Sequence, residues 1–168
     1  TLTNIQEALY RSNCCEFAPR VIKMVKSRAA ESSPNLLLFD GLLVRPKYRG
    51  RCVGLLALRA LMDYFRHSDF GVYAMEPFPL QCSQPEIRSK ELEEEFKVFD
   101  FAKLERSKSK ATAKLRDYYA RLGFTSVPST TYMVADPQAP LIPDEALFAP
   151  RVVPARRAKS GLTQNISG

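Results

Sequence analysis

Arg45, Lys47, Arg49 and Arg51 crowd into the stretch LLVRPKYRGRCVGLLALRAL (Leu42–Leu61), between an apolar run of strand length and a Leu/Ala-rich run of helical period. A strand that leads through a glycine-containing loop into a helix is a general anion-binding device. The first amides of a helix have no acceptor within it, and the helix dipole favours negative charge there. Arginine suits phosphate oxygens, and Arg49-Gly50-Arg51-Cys52-Val53-Gly54 combines both features in one loop. The phosphate-loop pattern G-x-x-x-x-G-K-[ST] and the dinucleotide pattern G-x-G-x-x-G are both absent. On its own the loop is also compatible with a solvated turn.

The remaining reactive residue types exclude several chemistries. His67 is the single histidine, placed on a helical pattern where exposure is expected, and there is no G-x-S-x-G. Hydrolase triads and histidine metal sites therefore have little support, and no metal is expected. Cys14, Cys15, Cys52 and Cys82 include no C-x-x-C pair. A disulfide framework or zinc site is not indicated, and a reduced, intracellular (cytoplasmic) protein is the simpler reading.

These residues must be positioned by a folded domain. The 168 residues are 45% hydrophobic, enough for one domain with a core. No apolar run reaches the ~18–20 residues of a membrane span. The net charge of +7 is compatible with an anionic ligand, nucleic acid or an acidic partner. Residues 1–34 have helical spacing, with Ile5, Ala8 and Leu9 on one face and Val21, Ile22 and Val25 on another. NLLLFDGLLV (Asn35–Val44) reads as a central strand covered on both faces, with Gly41 suggesting a bulge or close backbone approach. A helix follows over Val53–Arg66, then the strand GVYAMEP (Gly71–Pro77).

The run from Ser89 to Lys110 reads as an amphipathic helix with Leu92, Phe96 and Phe99 on one side. KATAKLRDYYARLGF is a further helix stopped by a left-handed Gly123, and TTYMVAD (Thr130–Asp136) a third strand. The order strand–helix–strand–helix–strand indicates an α/β domain over residues 1–136. Beyond it, residues 137–168 are Pro-rich and basic, with Arg156, Arg157 and Lys159, and are expected to be extended or disordered.

Together, LLVRPKYRGRCVG and YYARLGF resemble the two signature motifs of the GNAT superfamily of acetyl-CoA-dependent N-acetyltransferases, over about residues 36–136. The first is similar to the pyrophosphate-binding pattern [QR]-x-x-G-x-[GA], and the second to the helix that supplies a tyrosine beside the cofactor sulfur. The resemblance implies a GNAT-like acyl-CoA N-acyltransferase fold, a mixed central sheet flanked by helices. Its usual three strands before the motif strand are missing or altered here, because the 34 preceding residues read helical. The chain begins at Thr1, which is compatible with a processed chain or a fragment.

Carried over by position, the amides of Arg49, Gly50, Arg51, Cys52, Val53 and Gly54 would hold the pyrophosphate, with Leu55 beginning the helix. Cys52 stands where the first motif glycine usually lies, a departure that a helical conformation there would accommodate. Leu42, Leu43 and Val44 would pair with the pantetheine arm like an added strand, and a sheet splayed beside Gly41 would make room for it. Tyr119, four residues before Gly123, would protonate the departing thiolate, while Tyr118 is assigned to the core. Thr112 stands where many members carry an Asn.

An amine must lose a proton to attack a thioester. Asp40, four residues before Val44, is the first candidate for base or amine anchor, with a structural hydrogen-bonding role as the alternative. An acid within an apolar run costs free energy unless it is paired or useful. Glu76 is the second candidate, and a solvated strand end is its alternative. The resemblance thus implies acetyl transfer from acetyl-CoA to a primary amine by direct attack in a ternary complex, the amine itself being unreadable. A non-catalytic acyl-CoA-binding or interaction module with the same fold is the rival reading. Nucleic-acid binding through the basic loop and tail ranks last, no membrane is expected, and a homodimer stays open.

Overall fold

In the computed structural model, residues 2–12, 15–26, 28–82, 94 and 97–148 are described. Three short helices come first: α1 (Leu2–Leu9), α2 (Pro19–Val25) and α3 (Ala29–Ser32). They are followed by β1 (Leu36–Phe39), a 3-10 turn (Pro46–Tyr48), α4 (Val53–Tyr64) and β2 (Val72–Met75). Next are α5 (Lys108–Ala120), β3 (Thr125–Ser126), β4 (Met133–Ala135) and α6 (Asp144–Phe148). The four strands form one mixed sheet in the order β1-β2-β4-β3. β1 and β2 are parallel, in register from Leu36↔Val72 to Phe39↔Met75, and β4 pairs antiparallel with both β2 and β3. A parallel pair needs a crossover, and α4 supplies it.

Strand alternation divides the core into two layers. Val72, Ala74 and Val134 face one side, where Ile5 and Leu9 of α1 and Val21 and Val25 of α2 pack against them. Tyr73, Met75, Met133 and Ala135 face the other, packed with Leu55, Leu58 and Met62 of α4, Phe124 and Leu147. The Tyr73 hydroxyl donates to the Met62 carbonyl at 3.0 Å, tying α4 to the sheet. β2 and β4 are buried throughout, as doubly covered strands must be.

Several expectations need revision. NLLLFDGLLV is not one central strand. Only Leu36–Phe39 is paired; its leucines touch both core layers but are half-buried, because β1 lies at the edge of the sheet among the described residues. Gly41 makes no close approach: nothing lies within 4 Å of where a Cβ would stand. The expected helix from Ser89 to Lys110 does not run through its described part. Asp100 takes a left-handed φ of 47°, a 3-10 turn follows over Phe101–Lys103, and α5 starts anew at Lys108. Leu92 and Phe96 lie outside the described residues.

Pro137 does not end the packed structure either. Leu147 of α6 is fully buried. Arg59 of α4 donates to the Ile142 carbonyl at 2.7 Å and pairs with Asp144 at 2.7 Å. The prolines mark turns in a segment that closes over α4. Residues 149–168, with Arg156, Arg157 and Lys159, lie outside the described residues. Among the described residues no helix is long and apolar enough to cross a membrane.

Candidate functional site

Past Phe39↔Met75 the parallel pairing of β1 and β2 stops, and both chains continue without it. Below that gap lies a cavity of about 830 Å³. Its walls include the segment Asp40–Val44, the loop and α4 start through Gly54, and Leu115, Tyr118, Tyr119 and Arg121 of the α5 end. Phe78, Pro79 and Leu80 after β2 close another side. The volume is within the range of small-molecule sites, ~300–1,000 Å³.

The loop is shaped by two left-handed residues, Gly50 (φ 73°) and Cys52 (φ 56°). Cys52 is the N-cap of α4 and is not helical, contrary to expectation; its side chain makes no cap, and its thiol donates to the Leu147 carbonyl at 3.3 Å. A glycine would take this conformation without the ~1–2 kcal/mol cost of a side chain there. The amide of Leu56 is the first to find an acceptor within the helix, the Cys52 carbonyl at 3.0 Å. Those before it point from the helix start.

Tyr118 lies close to them. The Leu55 amide lies near enough to its hydroxyl to lower this phenol's pKa, but burial raises it further. Tyr118 is thus not simply a core residue: its ring borders the core while its oxygen lies against the start of α4. Gly54 explains itself here, since a Cβ would stand 2.7 Å from that hydroxyl oxygen and 3.1 Å from Cγ2 of Val44. Tyr119 packs edge-on against Tyr118, ring centroids 5.4 Å apart, and burial pushes its pKa up to about 12. It is a protonated phenol in the cavity wall.

The structure brings together ten of the twelve residues singled out from the sequence: Asp40, Leu43, Val44, Arg49, Gly50, Cys52, Val53, Gly54, Glu76 and Tyr119 all line the cavity. Arg51 is exposed outside the lining, and Leu55 contributes its side chain to the core. The guanidinium of Arg49 is already engaged, donating to the Val44 carbonyl at 3.0 Å and to the Phe99 carbonyl, and lying over the Phe101 ring at 6.0 Å. It braces the loop and is not a spare anion ligand. Asp40 lies beyond the end of β1 and is exposed, so the cost of burying an acid in a strand does not arise; Glu76 is half-buried past β2.

Sequence reasoning missed Arg121 as a site residue. It caps the C-terminus of α5, lies near enough to Tyr118 to lower its pKa, and lines the cavity. Its three-residue spacing from Tyr118 on one helix was the available signal. The cavity is therefore polarised: helix-start amides and Arg121 at one part of its wall, carboxylates where β1 and β2 part. No protein-family model matches the chain, and no curated protein or solved structure matches it.

Proposed function

We infer that the chain is a GNAT-type N-acyltransferase that takes the acetyl group of acetyl-CoA to a primary amine by direct attack. One observation carries this reading: two motifs some 65 residues apart in sequence, RPKYRGRCVG and YYARLGF, meet in one cavity that the segment Asp40–Val44 also lines. The mixed α/β sheet, with its parallel pair joined through α4, is compatible with the fold the motifs suggest.

The residues present suit acetyl-CoA. The amides of Gly50 to Gly54 and the Arg121 guanidinium would hold its pyrophosphate, and the unpaired backbone of Leu42–Val44 would receive the pantetheine arm. Acetyl-CoA supplies an activated thioester. The Tyr119 phenol is a weaker acid than a thiol of pKa ~8.5, so it acts as a hydrogen-bond donor to the developing thiolate. Full proton transfer to an isolated thiolate would be uphill by roughly 5 kcal/mol. Asp40 or Glu76 receives the proton the amine gives up. Cys52 lies by the phosphate end of the site and forms no acyl-enzyme.

The experiment is calorimetric binding of acetyl-CoA together with thiol release in the presence of amines. Wild type should bind and turn over, while Tyr119→Phe should bind and turn over slowly. Binding without transfer to any amine would favour the non-catalytic acyl-CoA-binding module.

A further inference from the structure

Exposed apolar surface is concentrated at one place on this chain. Among the described residues nine large hydrophobic side chains are exposed, and six of them, Leu43, Tyr48, Val53, Leu61, Phe78 and Leu80, line the same cavity. Single exposed apolar side chains are normal, whereas a collected patch marks a binding surface. Leu43 and Val53 belong to the segment and helix start assigned to pantetheine and pyrophosphate, so the coenzyme itself would cover them. Phe78 and Leu80 follow β2, on the side where β1 and β2 part, and neither of those groups is assigned to them.

These two side chains are held in a built wall. The Phe78 amide donates to the Glu76 carbonyl at 2.7 Å and the Cys82 amide to the Pro79 carbonyl at 2.8 Å, closing turns on either side of Leu80. Gln81 Nε2 donates to the Glu105 carbonyl at 3.2 Å, and the Cys82 thiol to the Arg106 carbonyl at 3.6 Å. Successive residues bonded to successive residues lay Leu80–Cys82 alongside Leu104–Arg106. The Lys108 ammonium stands 5.1 Å over the Phe78 ring. At its other end the same stretch is fastened to the Arg49 loop, through the Phe99 carbonyl and the Phe101 ring. Phe78, Leu80, Phe101 and Leu104 thus form one braced apolar wall of the cavity, and Tyr119 lines that cavity with them.

We propose that this site prefers a medium-chain acyl-CoA over acetyl-CoA, the hydrocarbon chain lying on the wall of Phe78, Leu80, Phe101 and Leu104. That preference rests on the acyl-CoA reading above and names the donor class within it. An acetyl group offers a single methyl to such a wall, whereas a longer chain spans it. Each methylene fully buried is worth roughly fourfold in affinity. On side chains that stay partly open to solvent about half of that free energy is gained, or roughly twofold per methylene. The chemistry is that of acetyl transfer. The amine nitrogen bonds to the thioester carbonyl carbon, the carbon–sulfur bond breaks, and coenzyme A leaves as a thiolate that takes up a proton from solvent. The proton lost by the amine passes through Asp40 or Glu76 to solvent, and the amide product carries the chain.

The test is titration calorimetry with free coenzyme A, acetyl-CoA, butyryl-CoA and octanoyl-CoA, followed by thiol release from the three esters in the presence of primary amines. Wild type should bind butyryl-CoA roughly fourfold and octanoyl-CoA roughly 60-fold more tightly than acetyl-CoA. Phe78→Ala combined with Leu80→Ala should cut the octanoyl advantage to less than about tenfold. The readout is the ratio of affinities, which a general loss of folded protein does not move. An octanoyl advantage undiminished in that folded variant overturns the placing of the chain. Equal affinity for acetyl-CoA and octanoyl-CoA in wild type overturns the proposal whether or not the variant folds, and leaves the acyltransferase reading intact. Octanoyl-CoA bound with its advantage but never consumed supports the chain wall and removes the transferase activity. If no coenzyme A ester binds, both fall together.

Discussion

The hydroxyl oxygen of Tyr118 lies 2.7 Å from where a Cβ on Gly54 would stand, so the start of α4 and the end of α5 are fitted to each other at one atom. The Leu55 amide lies close enough to the same oxygen to lower its pKa. Through this contact α5 sets the place of Tyr119 relative to the loop.

Gly54→Ala should therefore destabilise the protein despite alanine's better helix propensity. Overpacking costs about 1–3 kcal/mol, offset by a propensity gain of about 1 kcal/mol. Urea denaturation should give a net loss of up to about 2 kcal/mol in the wild-type background and much less in a Tyr118→Phe background. An equal cost in both backgrounds would place the clash elsewhere, at Val44 or Leu42.

Tyr119→Phe should lower kcat by roughly 10- to 100-fold with acetyl-CoA affinity nearly unchanged, as loss of a hydrogen-bond donor to the developing thiolate does. With its pKa at about 12, the phenol stays protonated through pH 10. The wild-type rate should then show no alkaline limb from this group below pH 10. A limb near pH 9 that vanishes in Tyr119→Phe would contradict the assignment.

The same burial affects stability. An unfolded tyrosine ionises from about pH 10, whereas folded Tyr119 holds its proton until about 12. The folded state binds more protons in that window, so stability is full below pH 10 and falls as pH rises through it. The loss from this one residue is roughly 2–3 kcal/mol, and denaturation midpoints from pH 9.5 to 11.5 should fall less steeply in Tyr119→Phe.

Leu147→Ala should cost about 2–4 kcal/mol, the range for emptying a buried leucine site, because Leu147 is fully buried. Breaking the partly exposed Arg59–Asp144 pair through Asp144→Asn should cost under about 1 kcal/mol. A Leu147→Ala effect as small as that would mean α6 is dispensable.

Cys52→Gly removes a side chain from a left-handed backbone, worth about 1 kcal/mol, and gives up a weak thiol–carbonyl contact to Leu147. A modest rise in melting temperature is expected. A fall equivalent to more than about 1 kcal/mol would show that the thiol contact outweighs the backbone cost.

What could be read from the sequence followed from periodicity and motif spacing. The faces of α1, α2 and α4 were legible because Ile5, Leu9, Val21, Leu58 and Met62 repeat at helical intervals and are buried accordingly. The loop and Tyr119 were legible because their residue types are unusual in those settings. The end of β1 was not, since nothing in the run Leu36–Val44 marks where pairing with β2 stops. Strand β3 spans only Thr125 and Ser126, too short for any period. The bracing role of the Arg49 side chain was not legible because its partners are the Val44 and Phe99 carbonyls, and backbone groups have no sequence signature. The packing of α6 was hidden by the prolines around it, which mark turns as readily as they mark an extended tail.

Thermal denaturation with acetyl-CoA and with free coenzyme A is the most direct measurement. A ligand held by the α4 start and the Leu42–Val44 segment should raise the melting temperature progressively with concentration. At 100 times the dissociation constant the stabilisation is about 2.7 kcal/mol, or several degrees, and free coenzyme A should retain most of it. No shift with either ligand at millimolar concentration would contradict an acyl-CoA site in this cavity.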